Sequence, residues 1–379
     1  MKELLQIGAT IFLAYLALAK GVQEKTHQHT DEKGLQDIIN QYVKKTITVK
    51  FGEVFDCVDI NRQPAFHHPL LKNHSLQMKP SSYPAGFHFK STSAVNTTQS
   101  PLTMVACPAR TIPILRKTDK AGSIPLLSST LIDGAEIAGI KTEGDIHGVR
   151  VSLNIYEPKL KGNGDFSAQM FNVMHGGGGA VEAIAAGSMV SQNFGDSFAR
   201  FHILWLEKDQ KTCMDFHCPS FVQTSEHIGV GGRITPVSTY KGKQVEVTLL
   251  LFQDPRMRNW WLFYDTKPIG YWPGSLFTEL RDGNANVAVF GGYVWGPMHD
   301  PPEMGSGHFA NEREGKAAYA RNIKRVNMRN TLADLDFAKT FAYSTKPPCY
   351  TVDSYNHNGN GVHVYYGEPG DCHPYPSVR

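Results

Sequence analysis

The spacing of apolar residues predicts one helix near the N-terminus and strands through most of the remaining chain. Between Lys33 and Thr46 the apolar side chains recur at helical spacing, and they are Leu35, Ile38, Ile39, Tyr42 and Val43. Further along, apolar and polar residues alternate, which is typical of strands with one buried face. The clearest alternations cover residues 149–155, 201–205 and 245–249.

Glycine and proline pairs such as Pro273-Gly274 and Gly291-Gly292 interrupt these strands at short intervals. Many short alternating strands separated by turn residues indicate an all-β fold, an antiparallel β-sandwich of two packed sheets. A short N-terminal accessory segment, which contains the one helix, precedes it. We place a weakly periodic linker at residues 118–143 and the sandwich at residues 144–379.

The start of the chain has the pattern of a secretory signal peptide. A charged beginning at Lys2 is followed by an apolar run that ends in Ala17-Leu18-Ala19, a small-residue cleavage pattern. A membrane anchor would need about twenty uninterrupted apolar residues, and the polar stretch from Lys20 arrives too soon. We therefore predict a signal peptide at residues 1–19, a secreted, extracellular protein and no membrane span.

Because we expect the chain to be exported, we interpret its cysteines as candidates for disulfides and two of its asparagines as candidates for glycosylation. Six cysteines in an exported chain favour disulfides over metal ligation, although they allow several pairings. Spacing favours the pairs Cys213–Cys218 and Cys349–Cys372, which leaves Cys57 with Cys107. The sequons at Asn73 and Asn96 are candidate glycosylation sites for the same reason.

Charge and short motifs exclude several function classes. The formal net charge of +3 comes from interspersed residues without a basic stripe, so we expect no nucleic-acid partner. The string beginning His175-Gly176 is similar to an esterase oxyanion loop, but the chain lacks the serine elbow of that class. Ser306 and His308 are adjacent only in sequence, which is not triad geometry. The histidines show no metal-ligand spacing, and we expect neither metal nor cofactor.

Longer strings, in a consistent order, run through nearly all of the mature chain. They are Asp56-Cys57-Val58-Asp59-Ile60, His68-Pro69-Leu70-Leu71-Lys72, Cys218-Pro219-Ser220-Phe221, Gly270-Tyr271-Trp272-Pro273 and Met304-Gly305-Ser306-Gly307-His308-Phe309. These strings resemble the plant neprosins, a family of glutamic endopeptidases that cut next to proline. Residues 20–117 are similar to the activation-peptide segment of that family.

The resemblance implies two packed antiparallel sheets, with a concave face on which two glutamates act as a pair. One carboxyl group keeps its proton as general acid, while the other activates water. Neprosins are active in acid, and their N-terminal segment covers the cleft until it is removed. The implied partner is a proline-rich peptide or an extracellular wall component.

Both glutamate positions carry other residues in this chain. The first glutamate lies in the family string I-E-A-G-W, which here reads Ile184-Ala185-Ala186-Gly187-Ser188. The second lies in G-G-E-V, which here reads Gly291-Gly292-Tyr293-Val294. Alanine has no titratable group, and tyrosine, with an ordinary pKa of about 10, is a poor base in acid. We therefore expect a non-catalytic homologue, with Ala185 and Tyr293 at the family positions.

The alternative is an active acid endopeptidase with relocated carboxylates, for which Glu182, Asp196 and Glu303 are the nearest candidates. Glu182 precedes Ala185 by three residues, and this odd offset points it to the opposite face of a regular strand. Four aromatic residues fit a β core as well as the wall of a substrate cleft, and they are Trp260, Trp261, Tyr271 and Trp272.

Overall fold

Strands dominate the part of the chain that the structure, a computed structural model, describes. This part comprises residues 34–88, 100–116, 135–162, 164–176, 181–209, 212–297, 301–357 and 361–370. Its strands form sheets of three, seven and nine strands, each with antiparallel neighbours. The predicted all-β sandwich is therefore confirmed. The predicted signal peptide, Asn96 and Cys372 lie outside the described residues.

The N-terminal segment contains helix α1, at residues 34–41, and a small sheet. The strands of this sheet, in the order β1-β2-β3, are β1 (Val43–Thr48), β2 (Val54–Asp59) and β3 (Thr111–Leu115). The helix ends before the predicted boundary at Thr46, because residues from Val43 onward pair with β2. Val43, Thr46 and Ile47 are β-branched, and such side chains favour strands over helices.

The seven-stranded sheet has the order β17-β4-β14-β6-β7-β8-β9. Its strands are β4 (Glu136–Ile146), β6 (Phe166–His175), β7 (Glu182–Ser191), β8 (Arg200–Leu206), β9 (Thr212–Met214), β14 (Ala285–Trp295) and β17 (Thr340–Ser344). Strand β4 begins inside the segment predicted as linker, so residues 136–143 belong to the sandwich. The glycines at positions 139 and 144 interrupt the alternation of apolar and polar residues by which this strand would be predicted.

The nine-stranded sheet runs β10-β13-β12-β11-β5-β15-β19-β18, with β16 paired to β15. Its strands are β5 (Gly148–Asn154), β10 (Val222–Gln223), β11 (Glu246–Gln253), β12 (Trp260–Tyr264), β13 (Lys267–Trp272), β15 (Ala318–Val326), β16 (Leu332–Asp334), β18 (Thr351–His357) and β19 (Gly361–Gly367). A one-turn helix, α2 (Glu279–Asp282), precedes β14.

The central core lies between the seven- and nine-stranded sheets. Trp205 on β8 and Trp272 on β13 meet there, with ring centroids 5.9 Å apart. Both side chains are fully buried, and burial of large apolar side chains is the main force that holds two sheets together.

The N-terminal segment is docked on the nine-stranded sheet through polar contacts. Gln63 accepts a hydrogen bond from the backbone of Gln223 at 2.8 Å and donates to its carbonyl at 3.1 Å. The hydroxyl of Tyr271 contacts His74 Nε2 at 2.8 Å and accepts the Gln77 N–H at 3.0 Å. These contacts cover the end of β13 and leave Tyr271 buried.

Two predicted disulfides are confirmed. Cys57 is bonded to Cys107, and Cys213 is bonded to Cys218. Cys349 is also disulfide-bonded, and its predicted partner lies outside the described residues. Asn73, the one sequon position that the structure describes, is exposed. Within the described ranges, no helix has the length and apolar character needed to cross a membrane.

Candidate functional site

The outer face of the seven-stranded sheet, turned away from the nine-stranded sheet, holds Ala185 and Tyr293, the two positions at which the sequence predicts the family glutamates. Along β7 the side chains of Ile184 and Ala186 belong to the central core, while Ala183 and Ala185 belong to a second apolar cluster. That cluster, which defines the outer face, comprises Ala135, Phe166, Ala168, Met170, Ala183, Ala185, Met189, Leu204, Leu206, Met214, Val289 and Tyr293.

A row of residues nearly without side chains crosses the outer face at right angles to the strands. Strand pairing places Gly139 beside Gly291, Gly291 beside Met170, and Met170 beside Gly187. We call the row of Gly139, Gly291, Met170 and Gly187 the glycine band. Only Met170 contributes a side chain to the band, and all four of its residues are buried.

Ala185 and Tyr293 lie in the two rows that flank the glycine band. Tyr293 pairs with Ala168 of β6, two residues to one side of Met170. Ala185 pairs with Asn172 of β6, two residues to the other side. Side chains at alternate positions point to the same face. The two family positions therefore face the band from opposite sides.

The close approach of strands β4 and β14 requires glycine in the band. A Cβ built on Gly139 would lie within 3.0 Å of the backbone at Phe290, and one on Gly291 would lie as close to the backbone at Ala138. A Cβ on Gly187 would meet the backbone of Gln169 in the same way. Real Cβ atoms do not approach backbone so closely, so the absence of side chains here is built into the sheet.

Neither family position offers a general acid or base of the glutamate type. Ala185 is fully buried, and the Tyr293 side chain is 1% exposed with no hydrogen-bond partner for its hydroxyl. Burial, together with the nearby hydroxyls of Tyr366 and Tyr343, raises the pKa of Tyr293 above its ordinary value. The phenol therefore stays neutral in acid and at neutral pH, where it can act only as a hydrogen-bonding group.

The carboxylate of Glu182 lies on the central-core side of β7, away from Ala185. Its two oxygens accept the backbone N–H groups of Thr278 at 2.6 Å and Leu280 at 2.8 Å. These donors belong to the first turn of α2, and a carboxylate at a helix N-terminus satisfies N–H groups that have no partner within the helix. Glu182 is thus a structural cap at the end of β7.

The other two candidate carboxylates are also engaged. Asp196 accepts the Phe198 N–H at 3.1 Å and forms an ion pair with Arg200, which also contacts Glu53 of the N-terminal segment. Glu303 accepts the Lys159 N–H at 2.9 Å. Glu182, Asp196 and Glu303 thus have separate backbone partners.

The four aromatic candidates are all buried. Trp260, Trp261, Tyr271 and Trp272 are fully buried between the sheets or beneath the N-terminal segment. The Trp260 indole N–H donates to the Leu280 carbonyl at 2.8 Å, which is a structural contact. These residues are packed in the interior of the part of the chain that the structure describes.

The histidines of the two motifs that are similar to hydrolase motifs, His175 and His308, make contacts within the fold. His175 Nδ1 contacts the Asn284 carbonyl at 2.7 Å, and the adjacent residues 177–180 lie outside the described ranges. His308 pairs with Glu312 at 2.9 Å and stacks on Tyr240 with ring centroids 3.8 Å apart. No group of three metal-binding side chains occurs within the ranges that the structure describes.

Sequence reasoning missed one polar pair on the outer face. His202 pairs with Gly187 across β7 and β8, so it continues the row of the glycine band. Its Nδ1 lies 2.6 Å from a carboxylate oxygen of Asp215. The available signal was a histidine at an alternating position in the apolar strand from Phe201 to Trp205. The sequence alone does not show that the chain folds back and places Asp215 beside His202.

Two family models match the chain. One described as Neprosin matches residues 163–369, and one described as Neprosin activation peptide matches residues 46–129. The first covers more than half of the 379 residues and includes β6 to β19. The second includes β2 and β3 and extends into the predicted linker. With the sandwich and the docked N-terminal segment, these matches show that the chain belongs to the neprosin family.

Proposed function

We propose that this protein is a secreted, non-catalytic neprosin that binds a proline-containing peptide along the glycine band. The observation that carries the proposal is that Ala185 and Tyr293 face the band from opposite sides. The family strings predict these two residues at the glutamate positions. Neither residue can exchange a proton with a peptide bond in acid, because one lacks a titratable group and the other has a raised pKa.

The neighbouring carboxylates give no support to relocated catalysis. A general acid–base pair needs two carboxyl groups within reach of one water molecule. Glu182 points to the central core, and Asp196 and Glu303 are held by Arg200 and by the backbone of Lys159 respectively. The alternative of an acid endopeptidase with relocated acids therefore lacks a geometric basis.

The surface around the band favours binding of an extended chain. The band has no protruding side chain other than Met170, and its flanks carry apolar residues such as Val289 and Met189. An extended peptide backbone can lie along a row that is nearly free of side chains, and proline fits there because an apolar ring needs no hydrogen-bonding partner. A wall component that bears such peptide segments would bind in the same way.

The proposal is tested by titrating the purified protein with a capped proline-containing peptide by calorimetry, then recovering the peptide after prolonged incubation in acid. We expect saturable binding and intact peptide. Recovery of cleaved peptide would contradict the non-catalytic assignment, whereas the absence of binding to any proline-containing peptide would contradict the proposed ligand.

A further inference from the structure

His202 lies at the β8 end of the glycine band. One of its ring nitrogens is hydrogen-bonded, and the other has no hydrogen-bond partner. Asp215 Oδ2 lies 2.6 Å from Nδ1, and Asp215 Oδ1 accepts the backbone N–H of Ile203 at 3.0 Å. An ionised carboxylate can only accept, so Nδ1 carries the proton. In the neutral ring, Nε2 is then a bare acceptor.

The position of the imidazole ring is determined from two sides. Phe194 stacks on the ring with centroids 4.4 Å apart and an interplanar angle of 25°. Asp215, which holds the edge of the ring, lies inside the short loop closed by the Cys213–Cys218 disulfide. A ring held on its face and at Nδ1 presents Nε2 in a constant direction, as a preorganised recognition group does.

Nε2 of His202 has no hydrogen-bond partner, although the residue is only 2% exposed. Buried polar atoms in folded proteins are nearly always paired, and an exception needs an explanation such as a ligand. Two further unpartnered buried atoms lie on the same face, the Tyr293 hydroxyl and Asn172 Oδ1, in the rows that flank the band.

We propose that His202 anchors the bound peptide, with Nε2 accepting a hydrogen bond from a backbone N–H of the ligand. This inference rests on the proposed function and deepens it. Proline has no backbone N–H, so the ligand residue opposite His202 must be another amino acid. The site therefore takes an extended peptide in which proline occupies a position along the band other than the one that meets His202.

The test uses the full-length protein, both intact and after cleavage at a protease site introduced between residues 117 and 135, which separates the N-terminal segment from the sandwich. The probes are a capped alanine peptide with one central proline and versions of it methylated at one backbone nitrogen each. We expect His202→Phe, which keeps the stacking on Phe194, to weaken binding of the parent peptide by about 3–10-fold. One methylated version should bind the unmodified protein more weakly than the parent peptide does, by the same factor. That version should bind the His202→Phe variant as tightly as the parent peptide does.

Asp215→Asn tests the positioning role, because an amide can donate to Nδ1 and leave the proton on Nε2. We expect it to weaken binding as much as His202→Phe. His147, which lies 3.1 Å from Asp145 between β4 and β5, provides the matched control. His147→Phe should leave the affinity unchanged.

A second measurement does not depend on folding of the variants. In the unmodified protein labelled with ¹⁵N at histidine, the Nε2 resonance of His202 should shift on saturation with the parent peptide. An unchanged resonance, or full affinity of His202→Phe with an unchanged methylation pattern, would overturn the inference while leaving the proposed function standing. If the unmodified protein binds no proline-containing peptide in either form, the proposed function fails as well.

Discussion

Ala185 and Tyr293 lie on the same face of one sheet, in rows on opposite sides of the glycine band, with β6 between their strands. We propose that these are the positions of the two family glutamates, which the same register would hold on the two sides of the band. On this proposal the sheet keeps that arrangement, and the chain lacks both carboxyl groups.

Restoring both carboxyl groups should restore part of the activity. We expect Ala185→Glu combined with Tyr293→Glu to cleave a proline-containing peptide slowly in acid, and each single variant to remain inactive. General acid–base groups typically contribute about 10²–10⁴-fold each, and half of the pair cannot complete the proton transfers. The control is Ala183→Glu with Tyr293→Glu, which places a carboxyl group on the same face two residues away. Equal activity of the control would contradict the assignment of position 185.

Glu182 should matter for stability and not for proton transfer. Glu182→Gln keeps one acceptor but sets an amide group against a backbone N–H of Thr278 or Leu280. We expect it to lower the free energy of unfolding by about 1–3 kcal/mol in a denaturant titration. Glu279→Gln, at an exposed position of the same helix, should change it far less. Equal stabilities of the two variants would argue against the capping role.

Acid should weaken docking of the N-terminal segment through His74. Burial lowers the pKa of His74 below its ordinary value of 6.5, so the folded chain favours the neutral ring beside Tyr271. Its contribution to stability is complete above pH 6.5 and is lost as the pH falls from there towards the lowered pKa. His74→Gln, which keeps an acceptor for the Tyr271 hydroxyl, should flatten the dependence of the melting temperature on pH in this window. His67→Gln, at an exposed position, is the control and should leave it unchanged.

The glycine band should not accept even one methyl group. Gly291→Ala would force a Cβ against the backbone at Ala138, and overpacking of this kind typically costs about 1–3 kcal/mol or more. We expect lower stability in denaturant titration. Gly34→Ala is the matched control, because a Cβ at Gly34 meets nothing within 4 Å. A stable Gly291→Ala variant would show that β4 and β14 can separate without cost.

The fold was predictable from sequence where local rules decide. Alternating side chains identified the sandwich, and short loop spacing identified the Cys213–Cys218 bridge. The end of α1 was missed because β1 is stabilised by pairing with β2, a contact that helical periodicity does not include. Strand β4 was missed because Gly139 interrupts its pattern, and the reason for that glycine is Gly291 on a distant strand.

The candidate site was predictable only in part, because its shape depends on register. Family strings predict Ala185 and Tyr293 as site positions, whereas the glycine band emerges only when β4, β14, β6 and β7 are paired. His202 and Asp215 are brought together because β9 pairs with β8, and no periodic pattern in the sequence predicts that contact. The aromatic residues could not be divided between core and cleft, since both environments select Trp and Tyr.

The proposal that this chain lacks glutamic-peptidase activity is tested most directly by incubating the purified, unmodified protein with a proline-containing peptide from acid to neutral pH and identifying the products by mass spectrometry. Our account predicts intact peptide throughout, and an N-terminal segment that stays attached unless another protease removes it. Cleavage at proline in acid that resists inhibitors of other proteases and disappears on Glu182→Gln would contradict it, because the chain would then use a carboxylate that we assign to capping α2.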